Sequence, residues 1–294
     1  MIETVRRLLA RRAAPLAPGV ERGLLAVAVG FVVVLTVVAW RSSELVLGDL
    51  RWWAVIVALL VAAPVSLALR ALEFDAAARL LGQRPAAARS VRVAVMASAA
   101  NLLPLPGSLL VNVRSLSEDG ATYGGALGAS AVPGLSWLGL VGVAGGIGMV
   151  VNGASVIGVI VIVAGLAGLA VATRLFLVAA PTDRRGPLAG RIILVELGWL
   201  AISASRLWLA LTALGESPEL GQALALSVAG ALTVAIGFFP AGLGVRELLI
   251  AAIAPMVGLP FATGVLAGVL DRIVWLVFLA AAASVIALRA RDRA

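Results

Sequence analysis

The stretch FFPAGLGVRELL, residues 238–249, lies inside a long apolar region near the C-terminal end of the chain. Its proline and its two glycines disfavour a continuous helix. Arg246 and Glu247 add two charges at a depth where a membrane helix rarely carries any. The stretch therefore predicts a helix that breaks inside a membrane and starts again near Val245.

Composition places this stretch in a membrane protein. The chain has 294 residues, of which 62% are hydrophobic and 13% are charged, whereas a soluble domain is about 45–50% apolar and roughly a quarter charged. Its apolar runs repeatedly reach the ~20 residues that cross a bilayer. Residues 23–40 follow basic residues but precede no small-residue cleavage site, so we predict a retained span rather than a signal peptide.

The chain contains no cysteine and no histidine. Disulfides, thiolate catalysis and cysteine-ligated metals are thereby excluded, and the commonest general base and metal ligand is missing. All 23 basic residues are arginine, which binds phosphate well, although compositional bias explains the same pattern. The arginines flank apolar runs, as the positive-inside rule describes. We expect no catalytic residue, metal, cofactor or nucleic-acid partner.

The charge pattern predicts an all-α polytopic protein with six full spans and two re-entrant helical hairpins. The predicted spans are approximately residues 23–40, 52–72, 124–151, 155–179, 192–214 and 261–288. Arginines cluster in residues 1–22, in residues 79–92 and in residues 184–191, which we assign to the cytoplasm. The expected order is a cytoplasmic tail (1–22), one transmembrane domain (23–288) and a second cytoplasmic tail (289–294). The expected location is the cell membrane, with both termini inside.

The first predicted hairpin follows from length. Residues 93–103 would form only about 17 Å of helix, too little for ~30 Å of hydrocarbon. Pro104, Pro106 and Gly107 then break the helix, and a second short apolar piece ends at Arg114. Such a break is tolerated at membrane depth where protein covers it, so we predict a re-entrant hairpin that opens to the cytoplasm.

The second predicted hairpin comprises residues 221–239 and 241–257 around Pro240 and opens from the outside. Its arms are long enough that two full spans would fit the charge pattern equally well. The hairpins lie in halves of opposite orientation, about 52–151 and 192–288. This arrangement is typical of inverted repeats with interrupted helices.

Seven charges fall within predicted hydrocarbon: Arg114, Glu196, Arg206, Arg246, Glu247, Asp271 and Arg272. Each costs about 2.5–3.5 kcal/mol at a helix centre, which favours a partnered or functional group. Snorkelling or a purely structural ion pair is the alternative. Glu196 and Arg206 are too far apart on one helix to pair with each other.

Arg246 and Glu247 are neighbours on a helix and do not face each other, so each needs a partner elsewhere. We hypothesise that Glu247 pairs with Arg272 or Arg114, which leaves Arg246 free for a ligand. The helix end near Val245 would expose N–H groups and a positive dipole end, which together form an anion site.

The first hairpin would offer a similar helix start, with Ser108 as a cap and Arg114 further along. Two such starts from opposite faces would converge near the midplane around one phosphate. A kinked helix with glycines for close packing is the alternative.

The segment FFPAGLGVRELLIAAIAPMVGLP and the later LAGVLDRIVWLV are similar to the signature of the lysylphosphatidylglycerol synthase transmembrane-region family, a group of flippase-like integral membrane proteins. The matching residues are Pro240, Gly242, Gly244, Arg246, Glu247, Gly258 and Arg272. In the first half, the matching residues are Asn101, Pro104 or Pro106, Gly107 and Arg114. Val111 and Asn112 stand where the family carries a carboxylate.

The resemblance implies translocation of an aminoacylated phospholipid or of a polyprenyl or glycolipid carrier. The soluble aminoacyl-transfer domain of some members has no counterpart in this sequence, so synthase activity is not expected. Arg114, Arg246, Arg272, Ser108, Gly242 and Gly244 would hold the headgroup. Pairing or proton coupling would fall to Glu247, Glu196, Asp271 and Arg206, since no ATP-binding loop is present.

Two other functions stay open at this level. One is an intramembrane transferase that acts on a lipid-linked substrate, and the other is an accessory or scaffold subunit with a degenerate lipid site. The sequence does not identify the headgroup, and it leaves open a homo-oligomer or a partner enzyme.

Overall fold

The computed structural model describes residues 30, 33–34, 36–42, 47–101, 107–236 and 244–291, and within them every regular element is helical. We number the nine longer helices α1 (Trp52–Leu80, with a π-helical turn at Ala58–Ala62), α2 (Ala87–Ala100), α3 (Gly107–Glu118), α4 (Tyr123–Val151), α5 (Ser155–Ala179), α6 (Arg185–Ala213), α7 (Leu220–Ile236), α8 (Val245–Ile253) and α9 (Phe261–Arg291). The predictions for Pro104, Pro106, Pro240 and Gly242, and for residues 1–29, lie outside the described residues.

Five described helices are long and apolar enough to cross a membrane: Trp52–Leu80, Tyr123–Val151, Ser155–Ala179, Thr182–Ala213 and Phe261–Ile286. The predicted spans 124–151 and 155–179 agree with α4 and α5 within one residue. Helix α1 continues eight residues beyond its predicted end at 72. Its charges favour this extension, because Asp75 and Arg79 pair across one turn at 2.7 Å.

Helices α2 and α3 form an antiparallel pair. Arg89, near the start of α2, forms an ion pair of 2.6 Å with Asp119, just after α3. At the other end of the pair, the backbone N–H of Ser108 donates to Asn101 Oδ1 at 2.8 Å. The prediction that the Ser108 side chain caps α3 is therefore wrong. Ser108 already lies inside the helix, and the Asn101 side chain accepts the exposed N–H.

Gly107 begins α3 at a point of close backbone contact. A Cβ at this position would lie 2.1 Å from the carbonyl oxygen of Ala100, so only glycine permits the observed approach. With 14 and 12 residues, α2 and α3 are about 21 and 18 Å long. Both are shorter than the ~30 Å hydrocarbon core of a bilayer.

The α2–α3 pair and the α7–α8 pair join their neighbours at opposite ends of the bundle. At one end, Gln83 Nε2 donates to the carbonyl oxygen of Leu116 at 3.0 Å. At the other end, Arg51 Nη2 donates to Gly215 O at 3.1 Å, and Gln222 Nε2 donates to Val257 O at 2.9 Å. Because α1 runs from residue 52 to residue 80, Arg51 and Gln83 mark its two ends.

Glycines on α9 allow α8 to pack closely against it. A Cβ on Gly264 would lie 2.8 Å from the Cα of Ala251, and one on Gly268 would lie 3.4 Å from the Cα of Glu247. Gly264, Gly268 and Arg272 follow one another at four-residue spacing, so they share one face of α9. This close contact brings Arg272 beside Glu247.

Glycines also mediate the contact between α4 and α5. A Cβ on Gly165 would lie 2.7 Å from the backbone nitrogen of Val143, and one on Gly142 would lie 2.9 Å from the Cα of Gly165. Small residues at such positions let two helix backbones approach, as in many membrane helix pairs.

We expect Gly165→Ala to destabilise the protein by about 1–3 kcal/mol, because the added methyl group would overlap backbone atoms of α4. The matched control is Gly168→Ala on the same helix, where the nearest atom lies at an ordinary 3.6 Å. The control should be neutral or slightly stabilising, since alanine favours helix. Thermal unfolding in detergent measures both variants. Equal melting temperatures would contradict the observed α4–α5 packing.

Candidate functional site

Five charged residues from three helices form two adjoining sets of ion pairs, which we together call the charge network: Arg206 on α6, Arg246 and Glu247 on α8, and Asp271 and Arg272 on α9. The side chains of Asp271 and Glu247 are 2% and 0% exposed. Asp271 lies about 15 Å along α9 from its start at Phe261. The network is therefore deep within helices that are long and apolar enough to span a membrane.

Asp271 is the centre of the network because it accepts hydrogen bonds from two arginines. Arg206 Nε donates to Oδ1 at 2.8 Å, and Arg246 Nη2 donates to Oδ2 at 2.7 Å. One carboxylate thus joins α6, α8 and α9. The hypothesis that Arg246 stays unpaired is wrong. Neighbouring residues on α8 point in different directions, and α9 supplies Asp271 for Arg246 as well as Arg272 for Glu247.

Glu247 uses both of its carboxylate oxygens. Oε1 accepts from Arg272 Nε, and Oε2 accepts from the backbone N–H of Gly244 at 2.9 Å. Of the two predicted partners, Arg272 is therefore the observed one. Gly244 has a φ of +80°, a conformation that glycine adopts without strain. It directs its N–H toward Glu247, in the manner of a capping box.

This contact revises the predicted anion site at the start of α8. The helix begins at Val245 as predicted, but the Glu247 carboxylate already occupies the positive end of the helix dipole. The attraction for an external anion must therefore come from the arginine side chains rather than from the backbone N–H groups alone.

Counted over the described residues, the charge network carries one surplus positive charge. Three arginines face two carboxylates, and residues 237–243, which precede α8, contain no charged residue. Arg246 has the most exposed side chain of the three arginines, at 23%. A small cleft lies beside Arg206 and Asp271 and is bounded by Ala58 in the π-helical turn of α1.

Arg206 is held on two sides. Besides its hydrogen bond to Asp271, its guanidinium carbon lies 5.1 Å from the ring centroid of Trp275, a cation–π arrangement. The sequence contained a signal for this contact, because Trp275 follows Asp271 by four residues and shares its face of α9. The role of Trp275 was nevertheless not predicted.

Arg114 does not belong to the charge network. Its side chain is 83% exposed and pairs with Glu118 on its own helix at 3.0 Å. From the sequence, Arg114 is predicted to lie in hydrocarbon as a headgroup ligand and as one of two possible partners for Glu247. The structure corrects both placements, because α3 extends to Glu118 and its last turns lie at the end of the bundle marked by Gln83.

Glu196 is separate from the network and has an unusual environment. It is 0% exposed, and neither carboxylate oxygen has a hydrogen-bond partner among the described residues. Its charged neighbours are Arg70 and Glu73 of α1, which pair with each other at 3.2 Å. Glu196 lies about 15 Å along α6 from Arg206.

Arg70 and Glu73 lie at the margin of the predicted hydrocarbon, where the sequence favours snorkelling or a purely structural ion pair, and the two residues do pair with each other. The Arg70 guanidinium carbon also lies 5.0 Å from the centroid of the Trp199 ring, one turn beyond Glu196 on α6. The three-residue spacing between Arg70 and Glu73 was the available sequence signal.

Comparison with models of known protein families finds no family that matches the chain, and comparison with curated proteins finds no similar sequence. Among the described residues, no group of three or more acidic, cysteine or histidine side chains is placed to hold a metal ion. Both carboxylates of the charge network are bonded to arginine. A ligand that reaches the network would therefore meet guanidinium N–H donors.

We expect Glu247→Gln and Arg272→Gln each to destabilise the protein, because each leaves a buried charge without its partner. Removing one member of a buried pair costs about 3–5 kcal/mol. The double variant should lose clearly less than the sum of the two single losses. Thermal unfolding of all four proteins measures the coupling. Strict additivity would show that the ion pair carries no interaction energy.

We expect Glu196→Gln and Asp271→Asn to have opposite effects on stability. The first change breaks no hydrogen bond to the described residues and replaces a side chain that is costly to bury in its charged form, so the melting temperature should stay the same or rise. The second change leaves Arg206 and Arg246 buried without a counter-ion, so the melting temperature should fall. Equal losses in the two variants would contradict this assignment of partners.

Proposed function

We propose that the protein binds the anionic headgroup of a lipid within the membrane and moves that lipid between the two leaflets. The observation that carries the proposal is the surplus positive charge of the charge network. A buried charge within the bilayer is costly, and one bound anion would neutralise it. Arginine suits this role because its planar fork of donors matches a phosphate group.

The proposed architecture has six spans and two re-entrant hairpins of opposite orientation, in the cell membrane and with both termini cytoplasmic. Its support is the shortness of α2 and α3, together with the attachment of the α2–α3 and α7–α8 pairs at opposite ends of the bundle. Interrupted helices at such positions form the substrate sites of many transporters with inverted repeats. In this arrangement, each hairpin would line access from one face of the membrane.

The resemblance to the lysylphosphatidylglycerol synthase transmembrane region supports a lipid as the ligand. The motif residues Gly244, Arg246, Glu247 and Arg272 are also those that build or cap the charge network. We propose that the substrate is an aminoacylated phospholipid or a polyprenyl or glycolipid carrier. Its phosphate would contact the arginines while its chains stay in the surrounding lipid.

Arg246 is the proposed first contact because it is the most exposed arginine of the network. An oxygen of the headgroup would accept a hydrogen bond from one N–H of Arg246, while Arg206 remains paired with Asp271. Asp271 thus holds Arg246 in place before the ligand arrives and is never left without a cation afterwards. Arg114 has no part in this site.

Glu196 is the proposed coupling group if translocation uses a proton. Glu247 and Asp271 are bonded to arginines, whereas both Glu196 oxygens lack a hydrogen-bond partner among the described residues. A proton can therefore reach and leave Glu196 without breaking an ion pair.

We expect Arg246→Gln to weaken headgroup binding about ten- to a hundredfold, which is the effect of losing a charged hydrogen bond of about 1.5–3 kcal/mol. Vesicles that contain the protein and a fluorescent phosphatidylglycerol, bleached from outside by dithionite, report how fast the lipid changes leaflet. Wild type should accelerate this exchange, and Arg246→Gln should slow it strongly.

Two controls define the result. Arg114→Gln removes the same charge from an exposed residue outside the network and should behave as wild type. Arg246→Lys keeps the charge and should recover part of the rate. No acceleration by wild type, or equal rates for Arg246→Gln and Arg114→Gln, would reject the proposed function.

A further inference from the structure

A second basic site lies at the opposite end of α6 from the charge network. It is an open pocket, which we call the basic pocket, and its walls include Arg79, Gln83, Arg84, Arg184, Pro187 and Leu188. The first three residues belong to the end of α1 and the turn after it. The others belong to the start of α6, about a hundred residues later in the chain. The fold brings two separate arginine-rich segments together here.

Three arginines at or near the pocket, Arg79, Arg185 and Arg191, are held in place by contacts with the protein. Asp75, largely buried on α1, accepts from Arg79 Nε at 2.7 Å and also from Arg191 Nη2 of α6. This carboxylate bridges the two helices that form the pocket. Arg185 donates to the carbonyl oxygen of Leu177 at 2.8 Å, which fixes the start of α6 against the end of α5.

Positive charge exceeds negative charge at this end of the bundle. Arg79 and Arg191 share the single carboxylate of Asp75, and Arg184 contacts Asp183 at 3.4 Å on the exposed surface. Arg84 forms no hydrogen bond or ion pair with the described residues, although it lines the pocket. Among the described residues, Arg84 therefore adds an arginine without a counter-ion to the lining of the pocket.

One wall of the pocket is apolar. Leu188 is buried and belongs to a cluster that includes Leu80 and Val132, and Pro187 lies beside it at the rim. A ligand that fits these walls has an anionic group for the arginines and an apolar part for the proline and leucine. A phospholipid at the membrane surface has both.

We propose that the basic pocket binds the phosphate group of an acidic lipid at the membrane surface, as a site separate from the charge network. Leu188 and Arg206 lie on the same helix about 27 Å apart, so one headgroup cannot occupy both sites. Basic pockets between transmembrane helices bind acidic headgroups in this way. The proposal does not depend on translocation by the charge network.

The test uses the full-length protein with Arg246→Gln, which removes the first contact in the network, in nanodiscs of phosphatidylcholine alone or with phosphatidylglycerol. We expect phosphatidylglycerol to raise the melting temperature by several degrees. The added substitutions Arg84→Gln and Arg184→Gln should abolish this rise. The control adds Arg114→Gln and Arg174→Gln, which remove the same charge from exposed positions, and it should keep the rise.

A separate arm adds inorganic phosphate to the phosphatidylcholine nanodiscs and identifies the source of the ligand. A rise with phosphatidylglycerol and none with phosphate supports a lipid headgroup. If inorganic phosphate raises the melting temperature equally, the proposal of a lipid headgroup is overturned and a soluble phosphate compound is the ligand. No rise in either arm, or a rise that survives Arg84→Gln and Arg184→Gln, overturns the pocket as the site.

Discussion

The carboxylate of Asp271 is the point on which the functional region depends. It binds Arg206 and Arg246 at once, and it thereby fixes the short helix α8 against two of the long helices. Without it, two cations would be buried with no counter-ion, which is far more costly than leaving them paired. The second ion pair, Glu247 with Arg272, works in the same direction and also caps α8 through Gly244. These contacts provide partners for the Gly244 N–H and for the charges at the start of α8. They thereby stabilise a short helix that begins in the interior of the bundle.

The same contacts explain why the site suits an anion. If the carboxylates balanced all of the arginines, the ion pairs would only hold the helices together. In the charge network three arginines face two carboxylates, so one positive charge remains among the described residues. Arg246, the most exposed of the three arginines, is one of the two that Asp271 holds. The residues that stabilise this region are therefore also those proposed to bind the anion. The basic pocket at the far end of α6 repeats the principle at the surface, where Asp75 holds two arginines in position while Arg84 keeps its charge unpaired among the described residues.

Much of the helical pattern could be predicted from the sequence, because hydrophobic runs and glycine or proline breaks act locally. That local information predicts the spans 124–151 and 155–179 and the start of α8 at Val245. It does not predict the partners of the buried charges. Arg246 was expected to be free because Asp271 lies 25 residues away on another helix, and only the close packing at Gly264 and Gly268 brings the two together. Arg114 was misplaced for a different reason: a break at Gly107 indicates where α3 starts, but not where the helix lies relative to the charge network.

The central claim is that the charge network holds an anionic lipid headgroup, and the lipid that copurifies with the protein tests it most directly. Protein carrying Arg84→Gln and Arg184→Gln, which disable the basic pocket, would be purified with and without Arg246→Gln. Mass spectrometry would then quantify the lipid bound to each. We expect about one tightly bound phosphate-bearing anionic lipid per protein when Arg246 is present, and we expect Arg246→Gln to lose it. The same lipids in the same amounts in both preparations would contradict it.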